Sequence, residues 1–273
     1  MSQISEIITS SQNKYVSLAR SLSDRKQRQK SLLYRFDGIK LLGEAAQRDV
    51  QIEFILIKES AYGAVTAKVN ELYSLNIEKT ELKVIVVSDT LFDKISEENA
   101  PEGVITVAKY DKDKHRDELR ETGASEKILM LESVRDPQNV GAILRCAAAF
   151  SVDRVIMSRD CADIYSSKTL RASMGAVFAL KIDRVDSMVE AVKLQKNSGR
   201  RVFAAALDET ALCLGSESFS QLDCVVIGNE GHGLDPETVA ACDSSVYIPI
   251  SEGVESLNAA VAASVLMWEF FGK

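Results

Sequence analysis

The stretch Asp223-Cys-Val-Val-Ile-Gly228, followed at once by Asn229-Glu-Gly-His-Gly233, decides how the second half of this chain folds. A short apolar run that ends in glycine predicts a strand buried on both faces, as in a parallel sheet. The glycines that follow allow a sharp turn and leave room for a flat ligand, while Asn229 and Glu230 supply polar groups. Asp235 and Pro236 then predict the start of a short helix, with Asp as the cap and Pro at the first helical position.

A second strand, loop and helix follow directly. Residues 246–250 predict a strand, and residues 254–268, rich in small side chains, predict a helix that packs closely against other backbone. Ser256 and Asn258 lie at the start of this helix, where terminal amides and short polar side chains point at whatever occupies the loop. One glycine loop would indicate only a tight turn. Two polar loops after successive strands favour a ligand site, because open parallel sheets bind ligands beyond the carboxyl ends of their strands.

Three separated motifs, taken in order, are far more specific than any one of them. They are Leu131-Glu-Ser-Val-Arg-Asp-Pro-Gln-Asn-Val-Gly-Ala-Ile-Leu-Arg145, Ile227-Gly-Asn-Glu-Gly-His-Gly-Leu234 and Ile248-Pro-Ile-Ser-Glu-Gly-Val-Glu-Ser-Leu-Asn258. Together they resemble the motifs of the SpoU/TrmH family of RNA 2′-O-ribose methyltransferases, of the SPOUT superfamily. The resemblance covers roughly the C-terminal half. It implies an α/β fold with a parallel-sheet SPOUT domain, a deep trefoil knot, a homodimer, and S-adenosylmethionine as the methyl donor, without metal.

Arg145 is the first candidate for catalysis. A lone arginine on a helix is most simply a surface ion pair, but Arg145 follows Asn139 by six residues inside the first motif. In the family this arginine is assigned to activation of the ribose hydroxyl, sometimes as a base. A guanidinium with a pKa above ~12 is a poor base. Its safer physical role is to fix a phosphate and stabilise the developing alkoxide.

The resemblance assigns further residues to the site and leaves their detailed roles open. Asn139 orients the arginine or the substrate, or caps its helix. Glu230 contacts Arg145 or Asn139, or bonds the loops. The catalytic candidates are Arg145, Asn139, Glu230, Ser256 and Asn258. The donor-binding candidates are Ala206, Leu207, Ile227, Gly228, Asn229, Gly231, Ile248, Pro249, Ser256, Leu257 and Asn258.

Other site classes are disfavoured by spacing and composition. The glycine spacing matches neither the dinucleotide fingerprint nor a P-loop. Five cysteines without a CxxC pair and two distant histidines predict neither a disulfide framework nor a zinc site. The apolar fraction of 46% and charged fraction of 27% are those of a globular protein, and no apolar run has membrane-spanning length. With no signal-peptide pattern, a cytoplasmic protein is expected.

The N-terminal half predicts a smaller α/β domain for binding RNA. Strands and helices alternate there, and Tyr34-Arg-Phe-Asp-Gly-Ile-Lys40 resembles the substrate-binding domain of many family members, with Asp37 where the family more often has Glu. Residues 12–30 predict one amphipathic helix with a basic end. That end is a solvated surface or a phosphate contact, and in a chain of net charge −7 the cluster favours the contact. The RNA-binding candidates are Arg25, Lys26, Arg28, Lys30 and, from a segment matching the family, Arg171.

The domains are predicted as 1–108 for RNA binding, 109–126 as a charged linker and 127–273 as the methyltransferase. In the last part, strands are expected at 128–131, 154–157, 176–182 and 201–206, with helices near 140–150, 168–173 and 188–197. The apolar end of the last helix predicts either a dimer interface or a core helix.

The function predicted from these features is methylation of a ribose 2′-hydroxyl in structured RNA, with ribosomal RNA favoured over transfer RNA. A non-catalytic RNA-binding or ribosome-assembly protein of the same fold is the alternative. The presence of all five catalytic candidates speaks against that alternative.

Overall fold

A computed structural model describes residues 6–73, 82–208, 211–251, 253 and 256–272. Of the residues discussed above, Glu252, Val254 and Glu255 lie outside this set. The chain divides into two compact units: Met1–Asp111 with Tyr165–Phe178, and Lys112–Ile164 with Ala179–Lys273. Among the helices of the described residues, none has both the length and the apolar character needed to span a membrane.

The first unit is built on a five-stranded mixed sheet. Its strands are β1 (Ile7–Ile8), β2 (Leu33–Asp37), β3 (Ile52–Lys58), β4 (Val84–Val87) and β5 (Val104–Lys109), in the order β1-β4-β3-β5-β2. β1, β4 and β3 run parallel, whereas β5 is antiparallel to both β3 and β2. Its helices are α1 (Lys14–Ser21), α2 (Arg25–Ser31), α3 (Ile39–Gln47), α4 (Tyr62–Tyr73) and α5 (Asp89–Ile95).

The basic N-terminal segment forms two helices, so the prediction of one helix over residues 12–30 was wrong. The helix is interrupted before Asp24, whose carboxylate accepts hydrogen bonds from the backbone amides of Lys26 and Gln27 and so caps a second helix. The apolar residues of α1, including Val16 and Ala19, are buried against the sheet core.

The second unit is built on an eight-stranded sheet. Its strands are β6 (His115–Arg116), β7 (Ile128–Leu131), β8 (Arg154–Ser158), β9 (Lys181–Val185), β10 (Val202–Ala205), β11 (Leu212–Cys213), β12 (Cys224–Ile227) and β13 (Ser244–Tyr247). Every pairing is parallel, in the order β11-β13-β10-β12-β7-β8-β9-β6. Its helices are α6 (Pro137–Ala149), α8 (Met188–Asn197), α9 (Pro236–Ala241) and α10 (Ala259–Phe271), while α7 (Ser167–Ser173) belongs to the first unit. The predicted α/β fold with a parallel sheet is confirmed.

Caps decide where the helices beside the predicted site begin. Asp136 caps α6 with Pro137 in its first turn, which starts the helix before residue 140. Asp235 caps α9 as predicted, with its carboxylate 2.9 Å from the amide of Glu237. Asn258 caps α10, so the last helix begins at Ala259 and extends to Phe271, beyond the predicted end at residue 268.

The segment Tyr165–Phe178 lies in the first unit, although it follows two strands of the second. The ring centroid of Tyr165 lies 4.4 Å from that of Tyr34 and 4.0 Å from that of Tyr110. Residues 176–178 form a 3-10 helix in place of the predicted strand, which begins only at Lys181. Gly175 precedes this turn with φ +87°, and a side chain there would meet Glu44 at 2.8 Å.

The charged segment predicted as a linker is part of the second unit from Lys112 onward. His115 and Arg116 form an edge strand, and Leu119 packs against the core under the sheet. The Arg200 guanidinium donates to the carbonyl of Gly123 at 2.7 Å. These contacts order a segment whose composition alone suggested a solvated connection.

Candidate active site

The predicted donor-binding positions meet at one edge of the eight-stranded sheet. In the sheet order, β13, β10 and β12 are neighbours, and β7 lies beside β12. The positions at their carboxyl ends are Ala206 and Leu207 after β10, Ile227 and Gly228 at the end of β12, and Ile248 and Pro249 after β13. Parallel strands end at a common edge, and the fold therefore brings these distant segments together. The side chain of Leu207 is 81% exposed there.

The loop after β12 is closed by its own backbone. Asn229 and Gly233 exchange two backbone hydrogen bonds, of 2.9 and 3.0 Å. Gly228 has no room for a side chain, because a Cβ atom would lie 2.5 Å from the carbonyl carbon of Gly233. The Asn229 side chain accepts from the amides of Gly231 and His232 and donates to the carbonyl of Ser133. The loop is thus a compact turn that leaves the carboxylate of Glu230 exposed.

One residue from each motif joins a continuous chain of hydrogen bonds. The side-chain Nδ2 of Asn258 donates to Asn139 Oδ1 at 3.0 Å, and Asn139 Nδ2 donates to Glu230 Oε1 at 2.6 Å. Asn258 Oδ1 also caps α10 by accepting from the amides of Ala260 and Val261. Asn139 is 8% exposed and does not cap its helix, since Asp136 does so. Of the alternatives open for Glu230, the structure shows the contact with Asn139.

Arg145 and Ser256 lie outside this chain of bonds. Arg145 is in the third turn of α6, with an exposed side chain that makes no hydrogen bond or ion pair to the residues described. Ser256 is likewise exposed and has no partner within the described ranges. Leu257 is half-buried. The guanidinium of Arg145 and the hydroxyl of Ser256 are therefore available to a ligand.

Glu132 is a site residue that sequence reasoning missed. It follows β7 directly and is 8% exposed. Its carboxylate accepts from the amide of Asp235 at 2.9 Å and from the hydroxyl of Thr238 at 2.6 Å. Glu132 stands within the first motif, but its partners lie after the second motif, and only the motif match could have drawn attention to it.

The loop after β7 is fixed by a second polar cluster. Asp160 accepts from the hydroxyls of Ser133 and Ser158 at 2.7 and 2.6 Å, and from Arg135 at 3.0 Å. Burial opposes ionisation of Asp160, but these hydrogen bonds outweigh it and lower its pKa. Ser133 has φ +56°, a left-handed conformation that this cluster holds in place. Across the part of the chain that the structure describes, no group of three His, Cys, Asp or Glu side chains is arranged to bind a metal ion.

The predicted RNA contacts lie in the first unit and divide into two kinds. Arg25, Lys26 and Lys30 are exposed on α2. Arg28 is 5% exposed, and its guanidinium donates to the carbonyls of Leu22 and Ser23, both at 2.8 Å. It therefore ties the end of α1 to α2 and is not part of the exposed basic surface.

The remaining predicted RNA contact, Arg171, lies on α7 with a half-exposed side chain. Its guanidinium is 4.0 Å from the carboxylate of Glu98. Burial and the neighbouring Asp37 carboxylate raise the pKa of Glu98, and Arg171 opposes that rise.

A parallel sheet with a polar loop at the carboxyl edge of its strands is the arrangement in which open α/β proteins bind ligands. The chain belongs to the SpoU rRNA Methylase family, whose model matches residues 126–268. Residues 13–106 match the model of the MRM3-like substrate binding domain. The predicted family is confirmed.

One curated relative and one solved structure match nearly all of the chain, and a second curated relative matches part of it. It is 28% identical to the 23S rRNA (guanosine(2553)-2′-O)-methyltransferase RlmP of Bacillus subtilis, over 97% of this chain and 99% of that protein. It is 32% identical to the 23S rRNA (guanosine-2′-O-)-methyltransferase RlmB of Acinetobacter baylyi, over 58% of this chain and 64% of that one. The AdoMet-bound rRNA methyltransferase from Sinorhizobium meliloti has a similar structure, with a TM-score of 0.78, 25% identity and 97% coverage of both chains.

Proposed function

We propose that this protein transfers the methyl group of S-adenosylmethionine to a ribose 2′-hydroxyl of ribosomal RNA. The observation that carries the proposal is the hydrogen-bond chain from Asn258 through Asn139 to Glu230, which joins all three family motifs at one sheet edge. Similarity to the 23S rRNA 2′-O-methyltransferases of B. subtilis and A. baylyi supports both the reaction and the class of RNA.

The residues at the sheet edge suit the methyl donor. Its adenosine requires apolar contacts and backbone hydrogen bonds, and the exposed Leu207 and half-buried Ile248 and Leu257 offer the apolar surface. The compact loop after Gly228 offers backbone groups at close range. When bound, the donor supplies an activated methyl group on a sulfonium. The solved neighbour with AdoMet bound supports this assignment.

We assign Arg145 to the substrate side of the reaction. Its exposed guanidinium has no partner among the described residues, and it can bind the phosphate beside the reactive ribose. A positive charge there stabilises the negative charge that develops on the ribose oxygen as its proton passes to solvent water. Asn139 and Asn258 keep Glu230 in place, and Ser256 offers a hydroxyl at the mouth of the same loop. These groups position the ribose and the donor for in-line transfer.

Both units supply the proposed contacts with RNA, and Arg145 is the contact in the second unit. Arg25, Lys26 and Lys30 provide exposed positive charge in the first unit, where the substrate-binding domain model matches. Because ribosomal RNA is the proposed substrate, we also propose that the protein works in the cytoplasm.

Transfer of labelled methyl from S-adenosylmethionine to total ribosomal RNA and to total transfer RNA, each from cells lacking the gene, tests the proposal. Mapping of ribose methylation then locates the modified nucleotide. We expect incorporation at one 2′-hydroxyl of ribosomal RNA. Incorporation into transfer RNA alone would show that the substrate is transfer RNA and not ribosomal RNA. Absence of donor binding in calorimetry would favour the non-catalytic alternative and overturn the proposed reaction.

We also propose that the protein is a homodimer that uses the outer face of α10. Val261, Val265 and Trp268 recur at helical spacing and are 50%, 37% and 53% exposed, an apolar stripe suited to a second copy. Light scattering should give twice the mass of one chain, and Val265→Lys with Trp268→Lys should give the single-chain mass. The trefoil knot stays a prediction from the family.

A further inference from the structure

Both ends of the glycine loop are fastened to one residue. Before the loop, the backbone amide of Glu132 donates to the carbonyl of Ile227 at 2.9 Å. After the loop, the carboxylate of the same residue accepts from the amide of Asp235 and the hydroxyl of Thr238. The carbonyl of the next residue, Ser133, accepts from the Asn229 side chain within the loop at 2.8 Å. Glu132 therefore closes a clasp around residues 228–234.

The chemistry of the clasp fits a carboxylate. Glu132 and Thr238 are 8% and 1% exposed, and Glu132 forms no ion pair with a cation in the described ranges. An ionised carboxylate is only an acceptor, so it satisfies two donors at once. A glutamine could keep its carbonyl oxygen for the Asp235 amide and turn its NH₂ group to the Thr238 oxygen, but the buried hydroxyl proton of Thr238 would then lose its acceptor, and the negative charge would be lost. The positive end of α9 favours the negative charge.

The hydrogen bonds of the Glu132 carboxylate are not needed to cap α9. Asp235 already caps that helix through the amide of Glu237, at 2.9 Å. The Glu132 bonds instead cross from the end of β7 to the far side of the loop, over more than 100 residues of sequence. The loop that they close carries Glu230, whose carboxylate bonds Asn139 at 2.6 Å.

We propose that Glu132 is a positioning residue that, through Asp235 and Thr238, holds residues 228–234 in the conformation that binds the methyl donor. This inference rests on the donor-binding role proposed above. Glu132 touches neither the donor nor the RNA in this scheme. We expect Glu132 to affect the affinity for the donor, and to influence Glu230 only by holding the loop that carries it.

The test compares four variants of the full chain. Glu132→Gln and Thr238→Val remove one side of the clasp each, Thr238→Ser keeps the hydroxyl, and Glu237→Gln removes an exposed carboxylate from the same helix. Calorimetry with S-adenosylmethionine should show donor affinity weakened by about tenfold in the first two, the effect of one buried hydrogen bond. KM for the donor should rise more than kcat falls. Thr238→Ser and Glu237→Gln should bind like the wild type.

Hydrogen–deuterium exchange without donor gives a second measurement that does not depend on the proposed reaction. Amides of residues 228–238 should exchange faster in Glu132→Gln and Thr238→Val than in the wild type. If the wild type bound no donor, the proposed function would be wrong, and the exchange rates alone would show whether Glu132 and Thr238 hold the loop. Unchanged exchange, or donor affinity within twofold of the wild type in both clasp variants, overturns the inference. If Glu132→Gln does not fold, the nearly isosteric Thr238→Val decides.

Discussion

The side chains of Asn139 and Glu230, 91 residues apart in sequence, share a hydrogen bond of 2.6 Å. Asn139 is buried in the first turn of α6, and Glu230 is exposed in the loop after β12. A carboxylate that accepts from a buried amide is held in one orientation, since Asn139 is itself fixed by the amide of Asn258. The bond links a helix terminus to the loop at the proposed donor site.

Asn139→Asp should reduce methyl transfer by roughly 10², because a second carboxylate would replace the donor to Glu230 and repel it. Single-turnover transfer to ribosomal RNA measures this. Gln138→Ala is the control, since Gln138 is the exposed neighbour on the same helix and should keep normal activity. Normal turnover in Asn139→Asp would remove the hydrogen-bond chain from the mechanism.

Arg145→Ala should lower kcat on the order of 10²–10³ and leave S-adenosylmethionine affinity nearly unchanged. The reason is that the proposed role of Arg145 is at the RNA phosphate and the developing alkoxide. Calorimetry and single-turnover rates separate the two effects. Arg159→Ala, which removes a half-exposed arginine paired with Asp186, should change neither. A wild-type rate in Arg145→Ala would contradict the assignment.

Arg25→Glu, Lys26→Glu and Lys30→Glu combined should weaken RNA binding and lower the salt dependence of log Kd by about 0.7–0.9 for each phosphate that the protein no longer neutralises. Filter binding across a salt series measures the slope. Arg28→Ala should behave differently, because it removes two buried bonds to carbonyls and should lower the thermal midpoint. An unchanged slope in the triple variant would make α2 an ordinary solvated helix.

Glu126→Gln should destabilise the protein at neutral pH, and its difference from the wild type should shrink as pH falls. Burial acts to raise the pKa of Glu126, but hydrogen bonds from Arg154 and Lys181 outweigh it and lower the value to about 2. A carboxylate with a lowered pKa stabilises the fold above its usual pKa near 4.5 and loses that effect as pH falls toward 2.

Urea unfolding at pH 7, 5 and 3 measures this difference. Glu190→Gln is the control, since Glu190 pairs with Lys193 on an exposed helix face. A difference between Glu126→Gln and the wild type that stayed constant from pH 7 to 3 would contradict the linkage.

Tyr165→Ala should cost about 3–5 kcal/mol in the free energy of unfolding. The side chain is 4% exposed, stacks on Tyr110, contacts the ring of Tyr34 at a tilt, and accepts a hydrogen bond from the amide of Asp111 at 3.2 Å. For the same reason, a fragment of residues 1–111 should bind a hydrophobic dye more strongly than the full chain. Cooperative unfolding of that fragment at the full chain's stability would show that Tyr165–Phe178 is dispensable.

The sequence by itself determined the class of fold, most of the longer strands of the parallel sheet and the family motifs. Apolar runs predict buried strands, and Asp-Pro pairs mark helix starts, because these signals act within a few residues. The strand at 128–131 and the cap at Asp235 could therefore be predicted from local sequence.

Only the tertiary structure decided which side chains meet. The burial of Arg28, the docking of Tyr165 in the first unit, and the clasp of Glu132 on Thr238 all depend on partners distant in the chain or on packing against a core. Local patterns do not encode such pairings. They follow from the register of the strands and from the need of each buried polar group for a partner.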